Sequence, residues 1–85
     1  MNIIGKNVKV IREKLGWTQE QLVAKCNLID WQISRSTLAK VEANVRRVTD
    51  IEVLKLSIAL NVSVNDLFDI SCIFDKNLMY ANNKV

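Results

Sequence analysis

Thr18-Gln19-Glu20-Gln21-Leu22 and, beyond a short apolar connection, Ser34-Arg35-Ser36-Thr37-Leu38 decide how this chain folds. Each opens on a hydroxyl residue of the kind that caps a helix, and the first carries Gln21 three positions on, the pattern of a capping box. Leu22, Val23 and Cys26 then supply a buried side, and this helix fades near Asn27 or Leu28. The second runs from Arg35 to Ala43 with Leu38 and Val41 inward; Arg35, Ser36, Thr37, Ala39 and Lys40 are left outside. Between them, Ile29-Asp30-Trp31-Gln32-Ile33 has no cap before Ser34 and reads as an ordered turn with Trp31 or Ile33 packed inward.

On the N-terminal side, Ile4, Val8, Ile11 and Leu15 recur at helical spacing and predict a helix over Ile4–Leu15. Lys6, Lys9, Arg12, Glu13 and Lys14 take its other faces, and Gly16 is a natural stop. On the C-terminal side, Asn44 suits the left-handed position that closes a helix, and Val45-Arg46-Arg47-Val48 forms a basic loop. Thr49 with Glu52 makes a second capping box, opening a helix to Leu60 with two apolar stripes. One is Ile51, Leu54 and Ile58, the other Val53, Leu56 and Leu60. A helix apolar on two faces is expected at the centre of the core. Asn61 ends it, Ser63 caps a short fifth helix from Val64, and Leu67 and Phe68 close the core.

The expected fold is therefore all-α, with five helices complete within residues 1–68 and a C-terminal extension over 69–85. In the extension Ile70, Cys72 and Phe74 alternate with Ser71, Ile73 and Asp75, a hint of a short strand, and Leu78-Met79-Tyr80 forms a further apolar cluster. A domain closed by Phe68 has no need of these side chains. They read as a dimer seam, with Ile70, Ile73, Phe74 and Leu78 as interface residues; a flap folded back over the monomer is the alternative.

Composition narrows the function. The 85 residues include no His, no Pro and 2 Cys. Without His there is no Ser-His-Asp or Cys-His arrangement and no His-based metal site, and two thiols alone cannot complete a structural zinc site. An enzyme is disfavoured, and neither cofactor nor metal is expected. Cys26 and Cys72 are far apart and set among apolar residues, as buried thiols of a cytoplasmic protein would be. The apolar run from Ile51 to Val64 is broken by Glu52, Lys55 and Asn61, so no membrane span is expected. The net charge of +3 conceals a polarity. Residues 1–47 hold nine basic groups against four acidic ones, +5, whereas residues 48–85 hold three against five, −2. A basic front suits a polyanionic partner.

Two short helices joined by a turn are the arrangement that double-stranded DNA admits. The major groove accepts one helix, and only outward side chains near its N-terminus reach base edges. Arg35 has the length to reach a guanine edge, and a cation at a helix N-terminus opposes the helix dipole, which implies an anionic partner. Ser36 and Lys40 share that surface. Gln19, at the start of the preceding helix, suits a phosphate, as do Arg46 and Arg47 on the loop.

From Ile4 to Phe68 the chain resembles the lambda-repressor-like, or XRE-type, helix-turn-helix domains of bacterial and phage regulators. The resemblance rests on Ile4-Gly5-Lys6 with Ile11-Arg12-Glu13-Lys14, on Gly16-Trp17-Thr18-Gln19-Glu20-Gln21-Leu22, and on Ile33-Ser34-Arg35-Ser36-Thr37-Leu38 with Val41-Glu42. Leu54 to Leu60 and Val62-Ser63-Val64-Asn65-Asp66-Leu67-Phe68 complete it. It implies a five-helix domain acting on transcription, usually as a homodimer on a near-palindromic operator. Base contacts would fall at Arg35, Ser36 and Lys40, and phosphate contacts at Gln19, Thr37 and Arg46. The chain departs from the pattern in a longer connection around Asp30-Trp31-Gln32, in Asn44 and Val48 where Gly and Pro are usual, and in Ala39 at an exposed reading position. An antitoxin or restriction-modification controller tied to a partner protein, or a protein-interaction module reusing the fold, would share the same pattern.

Overall fold

The computed structural model describes residues 2–69, and these form five helices: α1 (Gly5–Lys14), α2 (Gln19–Leu28), α3 (Arg35–Glu42), α4 (Asp50–Leu60) and α5 (Val64–Leu67). The expected all-α architecture is present. The strand suggested for the extension, and the interface residues Ile70, Ile73, Phe74 and Leu78, lie outside the described residues.

Local chemistry sets the helix ends. Thr18 with Gln21, Thr49 with Glu52 and Ser63 with Asp66 each form a reciprocal capping box, and Ser34 caps α3 by accepting from the Thr37 amide. Gly16, Asn44 and Asn61 adopt the left-handed backbone that terminates the preceding helices, with φ of 75°, 62° and 57°. α1 has no cap of its own at Ile4; the Asn2 Oδ1 accepts from the Gly5 amide at 2.6 Å instead. Asn2 also donates to the Val41 and Arg46 carbonyls, tying α1, α3 and the basic loop together. Gly5 is required at this crossing, because a Cβ there would collide with the Val41 carbonyl.

The longer connection enlarges the turn and does not extend α2. The Trp31 amide returns to the Cys26 carbonyl, and Asp30 takes a left-handed φ of 63° between them. The Asn27 Nδ2 donates to the Trp31 carbonyl at 2.9 Å, so the loop is ordered from both sides. Ile33 is buried, and Trp31 packs against the core, as does Trp17.

The core gathers Ile4 and Val8 of the first segment, Leu22 and Cys26 of α2, Leu38 and Val41 of α3, Leu56 and Leu60 of α4, and Leu67. α2 packs on α3 and α4, and α1 touches α3, α4 and α5. Three expectations fail here. Leu15, assigned to the α1 stripe, is 45% exposed, because the helix has already ended and the chain has turned toward Gly16. Phe68, expected to close the core, is 42% exposed; Leu67 alone does so. Most consequentially, Ile51, Leu54 and Ile58 do not enter the core and are 62, 53 and 55% exposed. The neighbouring helices cover only the side of α4 that carries Leu56, Ala59 and Leu60, so the second stripe faces out.

Candidate nucleic-acid interface

α3 has a buried and an open side. Leu38, Val41 and Glu42 are buried, while Arg35, Ser36 and Lys40 are exposed and Thr37 and Ala39 are partly so. Ser36 and Lys40, four residues apart, stand one above the other on the open side. The hydroxyls at the start of α3 form a small network around the cap. The Ser34 Oγ lies 3.1 Å from the Ser36 Oγ and donates to the Thr37 Oγ1 at 3.0 Å, which leaves the Thr37 proton available to an external acceptor. Arg35 faces Glu20 of α2 across 3.6 Å, an exposed pair that solvent screens and that holds the guanidinium only loosely. Lys40 makes no ion pair among the described residues.

Beneath this surface lies a pair that sequence reasoning missed. Arg12, placed on an outer face of α1 by its periodicity, is buried instead and faces Glu42 of α3. The Arg12 Nε donates to Oε2 at 2.7 Å and a terminal nitrogen to Oε1 at 3.1 Å. The other terminal nitrogen donates to the Trp17 carbonyl at 2.6 Å, so the guanidinium also fixes the loop before α2. The hydrogen bonds that Arg12 donates to Glu42 raise the Arg12 pKa above its ordinary value, against the opposing effect of burial. Two opposite charges in the sequence, on helices expected to pack, were the only available signal. Which acid Arg12 would meet depends on how α1 crosses α3.

Gln19 joins this network. Its Nε2 donates to the Glu42 Oε1 at 3.0 Å, and the side chain is half-buried. The carboxamide thus stands at the junction of α2 and α3, with one N–H held by Glu42 and the second without a partner among the described residues. A bound carboxylate fixes which way the amide points, since only nitrogen can donate to it.

The two loop arginines differ. Arg46 forms a two-point pair with Glu52, both contacts at 3.0 Å, and also donates to the Arg47 carbonyl at 2.9 Å. The Glu52 hydrogen bond raises the Arg46 pKa, and reciprocally Arg46 lowers that of Glu52. The same Glu52 accepts from the Thr49 amide in the capping box, so the basic loop is clamped to the start of α4. Arg47 is exposed and has no ion-pair partner among the described residues.

The order α2, enlarged turn, α3, with a hydroxyl-capped α3 whose outward side is polar, is the helix-turn-helix arrangement. A family model described as helix-turn-helix matches residues 8–67. The chain belongs to the lambda-repressor-like, XRE-type helix-turn-helix family. Searches of curated proteins and of solved structures return no significant match. The family is one of DNA-binding regulators and not of enzymes. Among the described residues, no group of His, Cys, Asp and Glu side chains could hold a metal, and no helix is long and apolar enough to cross a membrane.

Proposed function

We propose that this helix-turn-helix protein is a sequence-specific transcriptional regulator, a cytoplasmic repressor that binds a near-palindromic operator as a homodimer. The observation that carries the reading is the polarity of α3: Leu38, Val41 and Glu42 are buried, while Arg35, Ser36 and Lys40 are presented to solvent at its beginning and along one side. In the major groove Arg35 donates its two-pronged guanidinium to a guanine edge, which supplies discrimination of about 1–3 kcal/mol. Ser36 and Lys40 meet neighbouring base edges. Arg35 leaves Glu20 to do so at little cost, since their pair is exposed.

Phosphates are met from three directions. Gln19 offers the N–H that Glu42 leaves uncommitted, together with the amides at the start of α2. Thr37 offers its hydroxyl. Arg47 offers a whole guanidinium, whereas Arg46, paired with Glu52, reaches a phosphate only through its Nε and one remaining N–H. Ile70, Ile73, Phe74 and Leu78 are assigned to the dimer seam. With Arg46 and Arg47 each neutralising one phosphate in both subunits, log K falls against log salt with a slope of roughly −4.

Selection of bound sequences from random duplex DNA, followed by titration of the selected site at several salt concentrations, tests this. A near-palindromic consensus with a steep slope is expected. Absence of any consensus, or a slope near zero, overturns the proposal.

A further inference from the structure

The outer stripe of α4 is a surface that DNA binding does not use. Ile51, Leu54 and Ile58 follow one another at spacings of three and four, and each is more than half exposed. Isolated exposed aliphatics are ordinary; three in line on a single helix face mark a contact surface. The open question is what covers them.

Area excludes the simplest occupant. The three side chains present roughly 100 Å² apiece, so two stripes laid face to face hide only ~600 Å², about half of the ~1,200 Å² at the lower end of stable interfaces. A second apolar element is needed. The sequence supplies one directly after the described residues, in the segment bearing Ile70, Ile73, Phe74 and Leu78.

The chain leaves the domain on the wrong side of α4 to reach its own stripe easily. The Asn7 Nδ2 donates to both the Leu67 and Asp69 carbonyls at 2.7 Å, pinning the exit against α1. Phe68 lines a surface groove with Ile3, Ile4, Val48 and Val53. Val53 lies about 200° around α4 from Ile51, on the side the other helices cover. To travel half-way round a helix about 10 Å wide, the chain needs about five extended residues, and Ile70 and Ile73 would be left behind on the way.

We infer that the outer stripe of α4 is the seat for the C-terminal segment of a second copy of this chain. Resting on the homodimer proposed above, this names the surface that receives the seam. Two-fold symmetry makes the contact occur twice, segment on stripe and stripe on segment, and the doubled area reaches the range of a stable interface.

The full chain tests it by mass in solution and by disulfide trapping. Leu54→Lys changes an exposed residue, so the monomer keeps its helical content while dimerisation weakens by about thirtyfold or more. For trapping, Ile51→Cys, Leu54→Cys and Ile58→Cys are each oxidised in the presence of the native Cys72. Cys26 is fully buried, and burial raises its pKa to about 11, so it stays out of the reaction. A disulfide-linked species of doubled mass that the parent chain does not form and that disappears on adding Cys72→Ser is expected. A doubled mass that survives Cys72→Ser shows stripe on stripe and overturns the inference. So does a disulfide within one chain, a failure of all three variants to cross-link, or a monomeric parent chain. A dimer that binds its selected DNA site with a steep salt slope but is not trapped through Cys72 sinks only this inference. A correctly trapped dimer indifferent to DNA sinks only the function proposed above.

Discussion

α3 and α4 both turn one side to the core and the other to solvent, yet their outward sides are opposites. That of α3 is polar and supported from beneath: Glu42 is buried against Arg12 and holds Gln19 at the edge of the surface. That of α4 is aliphatic, and Ile51, Leu54 and Ile58 are exposed. The first arrangement fixes directional donors, which is what recognition of base edges and phosphates demands. The second offers area without direction, which suits association with another apolar segment. The two tasks proposed for this protein thus fall on different helices. Damage to the α3 surface should therefore leave dimerisation in the absence of DNA intact, whereas damage to the α4 stripe should weaken operator binding only through loss of the dimer.

The largest effect is expected from the support beneath α3. Arg12→Met leaves Glu42 as a buried charge without its partner and should destabilise the domain by about 3–5 kcal/mol in urea unfolding. Arg12→Met with Glu42→Leu should recover most of that loss, since a buried pair is often replaceable by well-packed apolar residues. Yet the double variant removes the anchor of Gln19, so its DNA affinity should stay reduced after stability returns. Full recovery of both would show that Glu42 does not position Gln19.

Next comes the contrast within α4. Leu56→Ala, at a fully buried site, should cost about 2–5 kcal/mol in urea unfolding. Leu54→Ala, two residues away, should change the stability of the monomer by less than about 0.5 kcal/mol. Comparable losses at a concentration too low for dimerisation would mean that the outer stripe is covered within the monomer.

Arg35→Ala should weaken binding to the selected site by about 1–3 kcal/mol and relax preference at one base position, with stability unchanged. Equal losses on selected and random DNA would reassign Arg35 to a phosphate.

The smallest effect concerns the clamp on the basic loop. Arg46 holds the Glu52 pKa below its ordinary value of 4.5. A depressed carboxylate pKa contributes stability that is fully present above the ordinary value and is lost as pH falls through the folded-state value below it. Glu52→Gln should therefore flatten the acid limb of the stability curve below about pH 4.5 while leaving DNA sequence preference untouched. An unchanged acid limb would show that the clamp contributes nothing in solution.

Much of this molecule could be read along the chain because its signals are local. Thr18, Ser34, Thr49 and Ser63 cap helices by reaching amides three residues on, and Gly16, Asn44 and Asn61 stop them through a backbone conformation that depends on the residue itself. The exposed set Arg35, Ser36 and Lys40 follows from the same helix boundaries and one buried side. Distance in the sequence is what hides the rest. Arg12 looked like a solvated charge because periodicity assigns a polar residue to the outside unless its partner is known, and Glu42 arrives on another helix. Likewise, Arg46 looked like a free cation until Glu52 closed on it.

The two stripes of α4 show the division most sharply. Their spacing established an α-helix with apolar residues on two sides, because a turn of 3.6 residues groups them so. Nothing in that spacing states which side the other helices cover. Only the packing of α1, α2 and α5 onto α4 decided that Leu56 and Leu60 are core and that Ile51, Leu54 and Ile58 are surface. Burial is a property of what lies opposite a residue, and in this protein what lies opposite comes from distant parts of the chain.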